Sequence, residues 1–227
     1  MLILQPLRDG AVMALWGGLA TAAIGDQLYA VALSWIAVAV FGSAAGYLAA
    51  LQAVVVLVTA FVCGTWADRR DHRRVMIAAD VTRAAVLLLV VVAWALAGRP
   101  PAWGLVLAVL VLAAGQAFFS PALQAILPEL VRTPALLPAT NALLDTTERI
   151  ARLLGPGLVA LLAGLLPMMH FLSLDAATFV VSAASVVLIG RLRAFAPVQT
   201  QGERIFGSIA RGFRAMWRVL KPPLNRV

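Results

Sequence analysis

Six apolar stretches, each long enough to cross a lipid bilayer, dominate the sequence. A helix needs about 20 residues to cross a hydrocarbon core about 30 Å thick. The stretches cover residues 11–40, 44–66, 75–97, 102–127, 139–166 and 170–190, and none alternates like the strands of a membrane barrel. Because lipid offers the backbone no hydrogen-bond partner, internally bonded helices are the expected structure. The sequence therefore predicts an all-α membrane protein with six transmembrane helices.

The composition of the chain excludes several classes of protein and of function. The chain of 227 residues is 63% hydrophobic and 12% charged, outside the range of soluble domains. Its net charge of +8 does not indicate a nucleic-acid partner, because the basic residues lie between and after the apolar stretches. The single cysteine, Cys63, excludes an internal disulfide and a cysteine metal cluster. No nucleophile with a paired base, histidine pair or phosphate loop appears, so neither an enzyme, a metal nor a cofactor is predicted.

The arginines predict the orientation in the membrane. They follow the second, fourth and sixth stretches, whereas the opposite connections carry only Arg99. By the positive-inside rule, both termini are expected in the cytoplasm of a multi-pass plasma (inner) membrane protein. The start of the chain does not resemble a cleaved signal peptide. We expect a cytoplasmic N-terminus at 1–10, a six-helix bundle at 11–190, and a cytoplasmic basic linker at 191–227 containing an amphipathic helix.

The connection after the second stretch, GTWADRRDHRRV, carries a motif. Its simplest interpretation is a basic loop that fixes topology. The spacing of Gly64, Asp68, Arg69, Arg73 and Arg74 resembles the signature G-x-L-A-D-R-x-G-R-K/R between the second and third helices of the major facilitator superfamily. The resemblance implies two inverted three-helix repeats, which form half of a twelve-helix transporter that works by alternating access.

Other stretches resemble one branch of that superfamily. FFSPALQAILPELV and LPATNALLDTTERIARLLGPGLVALLAG are similar to drug and proton antiporters that include macrolide and enterobactin exporters. The helix-packing motif Gly155, Pro156 and Gly157 resembles a reduced form of the antiporter motif of the fifth helix. The arginine found on the fourth helix of many members has no counterpart in LVLAVLVLAAGQAFF.

This resemblance implies proton-coupled efflux of small amphipathic compounds such as drugs or siderophores. The chain is expected to be the N-terminal half of such a transporter, with a C-terminal half missing or replaced by self-association. The alternative is a non-transporting, truncated membrane module or assembly partner.

An acidic residue, Asp26, interrupts the first apolar stretch. A charge at the centre of a membrane helix costs about 2.5–3.5 kcal/mol on insertion scales, so it needs a compensating environment. At 100° per residue, Asp26, Gln27 and Tyr29 share one side of the helix, and the opposite side, with Leu28 and Trp35, is predicted to contact lipid. No arginine is expected at the membrane depth of Asp26.

The fourth stretch carries a polar stripe in which Gln116 and Ser120 are four residues apart. The resemblance implies that the first and fourth helices line the substrate cavity. The predicted substrate and proton pathway comprises Asp26, Gln27, Tyr29, Gln116 and Ser120. The alternatives are a neutral, hydrogen-bonded structural Asp26 and interhelical hydrogen bonds of the stripe.

A second group of charged residues is expected near the cytoplasmic face, and its acids and bases are expected to pair. Glu148 and Arg152 have the favourable i, i+4 order. The resemblance implies a latch made in one access state and broken in the other, with Asp68 as its central acid. A static network that fixes helix packing is the alternative. The predicted gating network comprises Gly64, Asp68, Arg69, Arg73, Arg74, Asp80, Arg83, Glu148, Arg149 and Arg152. Asp175 and His170 are interpreted as interface residues.

Overall fold

The computed structural model describes residues 2–66, 71–131 and 133–193. Within these ranges the chain forms six α-helices. They are α1 (Gly10–Phe41), α2 (Gly46–Trp66), α3 (His72–Ala97), α4 (Ala102–Leu130), α5 (Leu137–Ala163) and α6 (Met168–Leu192). Short 3₁₀ segments at Leu2–Arg8, Gly42–Ala45 and Pro134–Leu136 precede α1, α2 and α5. The predicted amphipathic helix after residue 193 lies outside the described residues.

Local residue chemistry sets the helix ends. Asp9 caps α1 by accepting a hydrogen bond from the backbone N–H of Ala11 at 3.0 Å, and Asp71 caps α3 through the N–H of Arg73 at 3.0 Å. Gly98 ends α3 at a φ of +67°, in the left-handed region that glycine adopts without strain. Asp71 stands where the superfamily signature has glycine, and in this chain it caps the start of the third helix.

Among the described residues, four stretches are long and apolar enough to cross a membrane. They are Gly10–Ala60, His72–Ala97, Ala102–Leu130 and Met168–Leu192, and the first includes α1 and most of α2. Helix α5 is not among them, because Asp145, Glu148, Arg149 and Arg152 lie in its central turns. Membrane crossing by α5 and the count of six spans therefore stay predictions.

Helix α1 packs most extensively against α6 and also contacts α5, while α3 packs against α6 and α4, and α2 against α4. One end of the bundle carries the start of α1 and the ends of α4 and α6, which Arg193 joins: it pairs with Asp9 and donates to the backbone carbonyl of Leu130. We call this the Asp9 end. Trp16, further along α1, donates to the Thr147 hydroxyl of α5 at 2.9 Å.

The core consists of two main apolar clusters. The cluster nearer the Asp9 end includes Leu15, Met76 and Phe119, and the cluster nearer the opposite end includes Leu87 and Phe171. On α1, α3 and α4 the residues between the two clusters include charged or amide side chains. A polar layer therefore separates the two halves of the core.

Candidate transport site

The polar layer opens into a cavity of about 180 Å³. Helices α1, α3, α4, α5 and α6 all contribute to its walls. Its polar lining comprises Asp26, Gln27, Asp80, Arg83, Gln116, Ser120, Gln124, Asn141, Asp145, Thr147, Glu148 and Ser182. Four of the five residues predicted for the substrate and proton pathway are therefore brought together here.

A second cavity, of about 350 Å³, lies nearer the end opposite Asp9 and includes α2 in its walls. It contains the fifth predicted pathway residue, Tyr29, whose side chain is largely buried. Asp26, Arg83 and Gln116 line both cavities. These three side chains therefore form the boundary between the two spaces.

Arg83 is held from four sides in this boundary. Its guanidinium pairs with Asp80 one turn earlier and donates to Gln116 Oε1 at 2.9 Å. It also lies over the rings of Phe119 and Phe179, at 5.1 and 4.3 Å from their centroids. The pair is buried, with side-chain exposures of 4% for Arg83 and 1% for Asp80.

Gly115 of α4 makes room for Arg83. A Cβ atom at this position would lie 2.9 Å from Arg83 Cδ, which is too close for a normal contact. The structure thus corrects the expectation that no arginine lies at the depth of Asp26. A cation from α3 reaches into the site, although α4 carries none there.

The predicted gating network is divided among separate places. Asp68 and Arg69 lie outside the described residues, and Gly64 lies in the last turn of α2. Asp80 and Arg83 pair with each other, and both side chains are buried. At the Asp9 end, the guanidinium of Arg73 lies against Gly190 of α6.

The remaining members of the network are exposed. Arg74 is 3.4 Å from the carboxylate of Asp71, and Glu148 pairs with Arg152 at 2.5 Å, as the i, i+4 spacing predicts. Arg149 is exposed beside this second pair. Of these charged residues of α5, Glu148 lines the first cavity, whereas Arg149 and Arg152 are exposed beside it.

The Gly-Pro-Gly motif lies on α5, where its first glycine contacts α1. A Cβ atom at Gly155 would lie 2.7 Å from Gln27 Cγ, so glycine permits this close approach. Pro156 is inside the helix, and nothing lies within 4 Å of the corresponding position at Gly157. The motif thus helps to position one predicted pathway residue.

Asp175, interpreted from the sequence as an interface residue, is fully buried within the bundle. The Thr178 hydroxyl donates to the backbone carbonyl of Asp175 at 2.8 Å and, in a longer contact of 3.3 Å, to its Oδ1. Ser182 is also buried, on the same side of α6. The spacing i, i+3, i+7 of Asp175, Thr178 and Ser182 is the signal that identifies one polar helix face.

Comparison with known families decides the class of protein. The family described as Transmembrane secretion effector matches residues 2–224, nearly the whole chain. The chain belongs to the transmembrane secretion effector family. A comparison with curated proteins finds no match.

Transmembrane secretion effectors are transporters of the major facilitator type, so the superfamily assignment made from the loop motif is confirmed. The chain is an integral membrane protein with a role in transport. Within its described residues, no group of three or more histidine, cysteine, aspartate or glutamate side chains is arranged to hold a metal ion.

Proposed function

We propose that the chain exports small amphipathic compounds, such as drugs or siderophores, in exchange for protons. The observation that carries this proposal is an exposed polar face on α4 and α5. Gln116, Ser120, Asp145 and Glu148 are all exposed along the cavity. A charged group facing lipid costs about 2.5–3.5 kcal/mol, so such a face belongs against water or protein.

The family membership supports the arrangement of the helices in the membrane that this proposal requires. All six helices cross the plasma membrane as two inverted three-helix repeats, and both termini are cytoplasmic. A second six-helix bundle, either a C-terminal half or another copy of the chain, covers the polar face. Substrate then binds between the two bundles and is reached from each side of the membrane in turn.

The gating role concerns the Asp9 end, which is the cytoplasmic end in this arrangement. The contact of Arg73 with Gly190 joins α3 to α6 close to the motif loop. We assign Asp68, Arg69, Arg73 and Arg74 to a latch that closes this end in one access state. Glu148, Arg149 and Arg152 form the part of the network that faces the second bundle.

Transport is tested by measuring efflux of a fluorescent amphipathic dye and of a macrolide from cells that express the chain. Efflux that stops when a protonophore is added supports proton exchange. Asp26→Asn should reduce efflux at least tenfold. The matched control is Glu129→Gln, since Glu129 is an exposed acid of α4 that lines neither cavity.

Two results would contradict the proposal. No efflux from a membrane-inserted wild-type chain, alone or with a second bundle, would favour a non-transporting module. Normal efflux from Asp68→Asn would reject the latch, because removing its central acid should stop transport while leaving membrane insertion intact.

A further inference from the structure

Several buried oxygen atoms lie where α1, α3 and α6 meet. They are Tyr29 Oη, Asp80 Oδ2, Asp175 Oδ2 and Ser182 Oγ; Asp80 and Ser182 face each other, whereas Tyr29 Oη and Asp175 Oδ2 have no hydrogen-bond partner among the described residues. Buried polar atoms are nearly always hydrogen-bonded, to protein or to water. Unsatisfied atoms concentrated in one interface therefore indicate a place where water or a proton enters.

Asp175 lies close to the backbone of α1 in this interface, at a position where α1 has a glycine. It contacts α1 at Gly25, where a Cβ atom would lie 2.6 Å from Asp175 Oδ1. The next residue of α1 is Asp26, which lines both cavities, whereas Asp175 lines neither. Asp175 thus lies behind the transport cavity, beside its central acid.

The charges in this region do not balance. Arg83 is the one buried basic side chain within residues 4–60, 71–131 and 133–193, and it is paired with Asp80. Asp26 and Asp175 therefore share no second cation in the described interior. An ionised carboxylate without a partner in a low-dielectric interior is so unfavourable that the group takes up a proton instead.

The groups that act on Asp175 come from three helices. They are Asp26 of α1, Arg83 of α3 and Thr178 of its own helix, and Asp175 acts in turn on Tyr29. Asp80, Glu148 and Arg83 act on Asp26. Asp26 disfavours a negative charge on Asp175, whereas Arg83, which favours it, is already paired with Asp80.

We infer that Asp175 is a proton-binding site behind the transport cavity, which holds a proton on Oδ2 and exchanges it with Asp26 past Gly25. Uptake of one proton converts the carboxylate to a neutral acid. Its O–H then donates to the Tyr29 hydroxyl, directly or through one water molecule, which satisfies two of the unpartnered atoms. The role of this proton in transport rests on the proposed function, but its presence does not.

The site is tested by infrared spectroscopy of the purified chain in lipid at neutral pH. Protonated carboxyl groups have a C=O stretching band separate from that of carboxylates. Asp175→Asn should remove one component of this band. Asp145→Asn, which changes an exposed acid of the cavity rim, should leave the band unchanged.

Thr178→Val supplies a second measurement if Asp175→Asn does not fold. It removes the hydroxyl that donates to Asp175 Oδ1, so the same component should shift in frequency. A protonated-carboxyl band identical in wild type, Asp175→Asn and Thr178→Val would overturn the inference. Because no transport is needed, this outcome is distinguishable from a failure of the efflux assay.

Discussion

Replacing Arg83 by methionine should be among the most destabilising single changes in the bundle. The change removes the partner of a carboxylate whose side chain is 1% exposed. Breaking a buried ion pair from one side costs about 3–5 kcal/mol, because the carboxylate left behind must either stay uncompensated or take up a proton. The two ring contacts add about 0.5–1 kcal/mol each, although methionine keeps part of the packing between the rings. We therefore expect a loss of about 4 kcal/mol in unfolding free energy.

A double variant tests whether the orphaned carboxylate of Asp80 causes that loss of stability. Adding Asp80→Asn to Arg83→Met removes the orphaned charge and should recover more than half of the lost stability. Asp80→Asn alone should be milder than Arg83→Met, because Asp26 lines the same cavities and offers Arg83 another counter-charge. The two single variants differ in their expected cost because the polar layer contains more acidic than basic side chains.

The assay is reversible unfolding by SDS in mixed micelles, followed through the fluorescence of the six tryptophans. Arg152→Met is the matched control, since its pair with Glu148 has side-chain exposures of 61% and 54% and should contribute only about 0–1 kcal/mol. If Arg83→Met costs no more than this control, or if Asp80→Asn deepens the loss, the argument from buried charge is wrong.

Two further predictions concern helix packing and the Asp9 end. Gly18→Ala should destabilise the bundle by about 1–3 kcal/mol, because a Cβ there would lie 3.3 Å from Ser182 Cα and closer still to a serine side chain of α6. Gly17→Ala, with nothing within 4 Å, should be neutral or slightly stabilising in the same unfolding assay, and equal effects would refute the packing argument. Arg193→Met should lower the unfolding free energy by about 1–3 kcal/mol, since it leaves a carboxylate and a helix-terminal carbonyl without their donor. Arg191→Met, an exposed neighbour, should change it by less than about 0.5 kcal/mol, and the prediction fails if the two variants match.

The sequence was sufficient to locate the helices, because their length and hydropathy are local properties. It was less informative about which face of each helix is buried against its neighbours. Trp35 is 50% exposed, as predicted for a lipid-facing residue, but Leu28 from the same predicted side is only 5% exposed. Periodicity groups residues into faces, whereas the neighbouring helix decides which face is covered. In this bundle α1 is covered mainly by α6 and α5.

The burial of Arg83 and Asp175 was the other feature that the sequence did not predict, and simple geometry bears on it. Arg83 follows the first residue of α3, His72, by eleven positions. At 1.5 Å per residue this is about 16 Å, close to half of a 30 Å hydrocarbon core. The prediction placed Asp80 and Arg83 one or two turns into the span, and this rise puts Arg83 about three turns along α3. The same calculation puts Asp175 about 10 Å along α6 from its first residue, Met168.

The position of the polar layer between two apolar clusters bears on how such a bundle changes state. Among the described residues, the buried cluster around Leu15 is entirely apolar and that around Phe171 is apolar apart from Tyr29, so both hold the helices together mainly through apolar packing. The boundary of Asp26, Arg83 and Gln116 is different, because Arg83 contacts both Asp80 and Gln116, Gln116 also contacts Ser120, and Asp26 lines the same two cavities. A proton arriving at Asp26, or a cationic ligand replacing it, changes the number of acids that compete for Arg83. The charge state of this layer is therefore the property through which binding can favour one packing of the bundle over another.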